Sequence, residues 1–91
     1  MSYTTLWEEV LRIIRRKGYG SLISRQDILN HCRQFSIVND DSVDTYRRYL
    51  TKALFLQATD KRGLYCIMKT PWLGLGKNEV RRMAYRKIED N

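Results

Sequence analysis

The residues best suited to chemistry lie between Asp40 and Phe55, in DDSVDTYRRYLTKALF. Wound as a helix, this stretch places Val43, Tyr46, Leu50, Ala53 and Leu54 within one apolar face. Nearly opposite stand Thr45, Arg48 and Lys52, with Asp44 and Thr51 beside them and Tyr49 on the flank. A hydroxyl, a guanidinium and an ammonium in a row make a hydrogen-bonding cationic ridge suited to phosphates and base edges. Arg48 projects from mid-helix with the planar fork that pairs with guanine. Thr45 and Lys52 fit backbone phosphates, which receive half or more of the hydrogen bonds in protein–DNA contacts. The competing reading of Arg48 is a solvated side chain bridged to Asp44, four residues earlier, a pair worth about 0.3–0.5 kcal/mol. Arg47 and Tyr46 sit nearer the apolar side, and the stem of Arg47 is expected to cover the edge of the core.

The chain that must position this ridge has 91 residues, enough for one modest core and too few for a core plus a deep catalytic cleft. Its 17 Lys+Arg against 10 Asp+Glu give a formal charge of +7, which favours a polyanionic partner. A hydrophobic fraction of 43% argues for a folded domain. Cys32 and Cys66 have no CxxC or Cys/His zinc spacing and read as small hydrophobes of a reducing cytoplasm. His31, adjacent to Cys32, points about 100° away from it on a helix and is expected at the surface. No metal and no cofactor are expected. No apolar run approaches a membrane span, and MSYTTLWEEV lacks a secretory pattern, so the expected location is cytoplasmic.

In chain order, Thr5 and Glu8 announce a helix over residues 5 to 17. Leu6, Trp7, Val10, Ile13 and Ile14 point inward, and Glu9, Arg12, Arg15 and Arg16 outward. Gly18 and Gly20 stop it. Ser21 to Ile23 suit a short strand. Ser24 with Asp27 opens a second helix whose inner face is Ile28, Leu29 and Cys32, closed by Phe35. The link Ser36 to Asp40 carries Ile37 and Val38, one of which is expected to plug the core, and Asp41 is expected to cap the third helix. Leu56 to Ala58 and Leu64 to Met68 read as a hairpin whose tip holds Lys61, Arg62 and Gly63. After the Pro71 and glycine-rich break, a last helix is expected from about Asn78 to Ile88. Its stripe of Val80, Met83, Ala84 and Ile88 leaves three readings: a homodimer seam, a lid anchored by Trp72 and Leu73, or a second phosphate-binding surface.

The order helix, short strand, helix, turn, helix, charged hairpin resembles the winged-helix family of helix-turn-helix proteins over roughly Thr5 to Met68. The phrase TYRRYLTKALFLQATDKRGLYCI is similar to that family's recognition helix running into its wing. The resemblance implies an α+β, mainly helical fold, a winged helix-turn-helix with a two- or three-stranded sheet over residues 1–70, to which the chain adds a C-terminal extension over 71–91 with a basic amphipathic helix. It implies double-stranded DNA as partner, with Thr45, Arg48, Tyr49 and Lys52 in the major groove and Lys61 and Arg62 on adjacent backbone or minor groove. Two features depart from the family pattern. The segment after Met68 is additional, and Asp44 repels a phosphate unless it reads a cytosine amino group. Transcriptional regulation is the expected role, without enzymatic activity. A winged-helix adaptor docking on another protein is the alternative, since fold alone does not set function.

Overall fold

The computed structural model describes residues 5–35 and 38–89, with side chains through Tyr85. Helix α1 spans Leu6–Lys17. Thr5 caps it, accepting from the Glu8 amide at 3.1 Å, so one of the unpaired first-turn donors is satisfied. Trp7, Val10, Leu11, Ile13 and Ile14 are buried along it. Gly18, at φ 87°, ends it and returns its N–H to the Ile14 carbonyl. Strand β1, Leu22–Ser24, sends Ile23 into the core. Its last residue also caps α2, Arg25–Arg33, through a reciprocal capping box with Asp27 at 2.9 and 3.0 Å.

Helix α3 spans Asp40–Lys52 and is capped by Asn39, not by Asp41 as expected. The Asn39 carboxamide oxygen accepts from the Asp41 amide at 2.9 Å, so the helix starts two residues earlier and Asp41 lies in its first turn. Val43 and Leu50 are fully buried and Ala53 nearly so, but Leu54 is not in the apolar face where the sequence put it. Leu54 is left-handed, φ 69°, and 49% exposed. Its N–H donates to the Thr51 carbonyl and that of Phe55 to the Leu50 carbonyl, the two bonds of a Schellman ending. That reversal turns the completely buried Phe55 inward in place of Leu54.

Strands β2, Leu56–Ala58, and β3, Leu64–Ile67, form the hairpin, with Gly63 at φ 80° closing its turn. The antiparallel sheet has the order β1-β3-β2, with Leu22 opposite Cys66 and Gln57 opposite Cys66 across the central strand. Helix α4 spans Lys77–Glu89. The molecule is therefore α+β, mainly helical, with a small three-stranded sheet in a winged-helix-like arrangement and an added C-terminal helix.

The segment after the hairpin belongs to the same core. Leu75, Val80 and Ala84 are buried with Trp7, Leu50 and Phe55 in one cluster. Two side chains of α1 hold the strap that leads to α4: the Trp7 indole N–H donates to the Leu75 carbonyl at 2.7 Å, and Arg15 to the Pro71 carbonyl at 2.8 Å. Trp72 and Leu73, expected as the anchor, are 50% and 44% exposed; Pro71 and Leu75 on either side are buried instead. Val80 and Ala84 are likewise committed to the domain's own core, so a dimer seam built on them would require α4 to leave it. Met83 is exposed, and the Ile88 side chain lies outside the described residues.

Two further expectations are reversed. Glu9, expected outside, is 3% exposed, and His31, expected at the surface, is 8% exposed. They meet at 3.0 Å, Nε2 to Oε1, and Arg12 approaches the second Glu9 oxygen at 3.5 Å. Each is tolerated inside because it partners the other. Phe35, expected to close the inner face of α2, lies beyond the helix end and is 57% exposed. Val38 packs against the core, whereas Ile37 lies outside the described residues. Among the described residues no helix is long and apolar enough to cross a membrane.

Candidate nucleic-acid interface

The outer surface of α3 is bounded on both flanks. On one, Arg25 at the start of α2 grips Asp44 with two hydrogen bonds, at 2.7 and 3.0 Å, while its own amide donates to the Gly63 carbonyl of the hairpin turn. Next to it, Arg47 hydrogen-bonds the Tyr65 hydroxyl of β3 and lies over that ring, 5.0 Å from the centroid. Arg25 and Arg47 thus tie the wing to α3, and neither points freely to a ligand. On the other flank α4 packs alongside α3. Lys77 stands over the Tyr46 ring at 5.4 Å, and Lys52 over the Tyr85 ring at 5.7 Å.

What remains open between these flanks is the stripe Asp41, Thr45, Arg48 and Lys52, successive at helical spacing. Arg48 and Lys52 are exposed, and neither has a carboxylate within salt-bridge distance among the described residues. The reading in which Arg48 is bridged to Asp44 therefore fails: Asp44 is taken by Arg25, with Arg47 at 3.7 Å. The Arg25 hydrogen bonds, followed by the positive charge around it, hold the Asp44 carboxyl below the usual carboxylate range, and the same bonds raise Arg25. A carboxylate so engaged offers little repulsion to a phosphate. Thr45 donates its hydroxyl hydrogen to the Asp41 carbonyl at 2.9 Å, which leaves its oxygen able to accept but not to donate without rearrangement. Tyr49 is half-buried and packs on the core, so it is positioned more by the fold than by any ligand.

Lys61 and Arg62 are both exposed at the hairpin tip. The turn beneath them is stiffened by Thr59, whose hydroxyl donates to the Leu64 carbonyl at 2.9 Å and accepts from the Lys61 amide at 3.2 Å. Of the six residues picked from the sequence, Arg48, Lys52, Lys61 and Arg62 are thus presented, Thr45 is half-presented, and Tyr49 is largely structural.

Sequence reasoning offered the terminal helix as a lid or a second phosphate-binding surface but did not place it beside α3. Lys77 lies against α3, and Arg81, 5.8 Å from the Tyr85 ring, shares that ring with Lys52. Basic residues on the terminal helix were visible, but not which flank they would adjoin. Cys32, buried in the α1–α2 contact, has its thiol pushed up to about 11 by burial and then by the charge of Glu9, which makes it a packing residue, not a nucleophile. Neither cysteine is in a disulfide. No family model, curated protein or solved structure matches this chain.

Proposed function

We propose that this chain is a winged-helix protein that binds double-stranded DNA in a sequence-dependent way, in the service of transcriptional regulation, with α3 in the major groove and the hairpin tip on neighbouring backbone or minor groove. The observation that carries the reading is the open stripe on α3, where Arg48 and Lys52 are exposed without carboxylate partners among the described residues while Asp44 is engaged by Arg25. Arg48 reads a base edge, Lys52 touches the backbone, joined by Thr45 once its hydroxyl turns from the Asp41 carbonyl to donate to a phosphate, and Lys61 and Arg62 supply the wing contact. A formal charge of +7 supplies the long-range attraction such binding needs.

Selection from random duplex DNA at moderate salt tests the proposal, followed by a salt titration of the Arg48→Ala, Lys52→Ala double variant. The expected outcome is an enriched motif. The double variant should bind it about ten- to a hundredfold more weakly, with the slope of log affinity against log salt reduced by about 1, the share of Lys52 on a phosphate. Both positions are exposed, so unfolding in urea should shift by no more than about 0.5 kcal/mol. Wild-type binding by the double variant across the titration would refute the assignment of α3.

The adaptor reading keeps one observation of its own. An apolar groove of about 440 Å³ runs between the end of α3 and the edge strand β2, lined by Thr51, Leu54, Leu56, Gln57, Ala58 and Met68. Leu54 and Met68 are exposed there. Selection that enriches no duplex would favour this reading over the first.

A further inference from the structure

We propose that the cleft between α1 and α2 is a binding site for a small organic acid, a carboxylate carried on an apolar body such as an aryl ring. The cleft is a solvent-open depression of about 540 Å³ and lies apart from the α3 stripe; Glu9, Arg12, Arg15 and Arg16 line it from α1, His31 and Phe35 from α2 and its end, and Leu73 from the strap. A volume of this size suits a metabolite-sized ligand.

The charges in it do not balance. Three guanidiniums face one carboxylate. Glu9 spends one oxygen on His31 and the other near Arg12. Arg15 gives one N–H to the Pro71 carbonyl, and Arg16 has no hydrogen-bond or ion-pair partner among the described residues. The cleft therefore holds more cation than its own anion can answer, in the fork geometry that suits a carboxylate.

A second observation is independent of that surplus. His31 is only 8% exposed, and its Nδ1 has no hydrogen-bond partner among the described residues. Because an ionised Glu9 can only accept, the Nε2 bond takes the ring's one neutral-state hydrogen, and Nδ1 is left as an unsatisfied acceptor, which needs a donor and not the carboxylate itself. Buried polar atoms normally find partners, and an acceptor that does not is completed by a donor such as a water held in the wall of the cleft.

The walls specify the rest of the ligand. Phe35 is 57% exposed, 5.1 Å from the His31 ring, and Leu73 is 44% exposed. Large apolar side chains left open beside arginines are explained by a molecule with an apolar body and an anionic end. Inorganic phosphate would use the arginines and leave both walls wet. A duplex backbone would touch the rim without covering them.

The test is an NMR titration of the full chain with benzoate as probe, alongside benzyl alcohol and inorganic phosphate. Expected are saturable millimolar shifts from benzoate, confined to residues 9–16 of α1, Phe35 and Leu73, with both controls about tenfold weaker. Arg16→Gln should weaken benzoate about tenfold. Leu73→Glu, which puts a like charge at the rim, should abolish its binding. Each variant alters an exposed side chain, so the unfolding midpoint checks that the fold is kept. The proposal is overturned by shifts that do not saturate, by equal binding of benzyl alcohol or phosphate, or by an Arg16→Gln variant that binds benzoate as wild type does.

Discussion

Glu9 on α1 and Asp44 on α3 are both carboxylates held by a side chain of a neighbouring helix, and they have different consequences. The Glu9 side chain is 5% exposed and its partner His31 8%, so that pair is sealed into the α1–α2 contact. The Asp44 side chain is 24% exposed and Arg25 40%, so that pair is bathed by solvent along one side. Sealed pairs cost much to desolvate and much more to break, because the survivor is left charged and unpartnered. Half-open pairs contribute modestly to stability and mainly fix geometry. Glu9 is accordingly a matter of folding, and Asp44 of how α3, α2 and the wing present the cationic stripe.

Breaking the sealed pair should have the largest effect. His31→Leu strands the Glu9 carboxylate inside, with only Arg12 at 3.5 Å to answer it among the described residues, and should cost about 3 kcal/mol in urea denaturation, the low end of what removing one partner of a buried pair costs. Converting Glu9→Leu as well should restore most of that loss, because two apolar groups replace two that needed each other. If the double variant is no more stable than His31→Leu, the destabilisation comes from lost packing and the contrast with Asp44 disappears.

These two sites also mark where the sequence was legible. The helices and the hairpin could be read because their signals are local: the apolar spacing of Trp7, Val10 and Ile14, the Ser24–Asp27 box, and Gly63 at the wing. The exposure of Arg48, Lys52, Lys61 and Arg62 followed from the same periodicity and the loop chemistry. The Glu9–His31 pair could not be read, because its halves lie 22 residues apart and each looks like a surface residue among its neighbours. Arg25 as the partner of Asp44 is equally non-local, 19 residues away, while the local candidate Arg48 was four away and wrong. Leu54 and Trp72 failed for another reason. Hydrophobicity alone does not reveal a left-handed helix ending or a strap tethered through its carbonyls, and both turn a large apolar residue outward.

The half-open pair should answer to pH more than to denaturant. Asp44 has a lowered folded-state pKa, held down first by the Arg25 hydrogen bonds, so its contribution is present above its unfolded value, near 3.8, and is lost as pH falls through the lower folded value. Asp27, lowered by the Ser24 amide bond, loses its share in the same direction and below the same pH. Urea denaturation from about pH 5 downward should show wild type losing stability below about pH 4 by uptake of up to one proton at each site. Asp44→Asn should be less stable than wild type at pH 5, by less than His31→Leu, and the difference should shrink as acid is added. A difference that stays constant down to pH 2 would mean that the carboxylate charge is not what Arg25 holds.

The smallest expected effect bears most directly on what α3 faces. Asp41 is exposed and stands at the head of the stripe that continues through Thr45, Arg48 and Lys52, and no side chain among the described residues neutralises it as Arg25 does Asp44. If the stripe lies on DNA, Asp41→Asn removes a repulsion from phosphate and should raise affinity about threefold at low salt, an advantage that fades as the Debye length shrinks. The same change removes a favourable charge from the first turn of α3, so stability should fall by about 0.3–1 kcal/mol while binding improves. Opposite signs in the two measurements distinguish a carboxylate that merely starts a helix from one that also faces a polyanion. Affinity that drops for one base pair at one position of the selected motif would instead identify Asp41 as an acceptor for a cytosine amino group. Affinity unchanged at every salt concentration would place the DNA elsewhere on the molecule and remove the stripe from the interface.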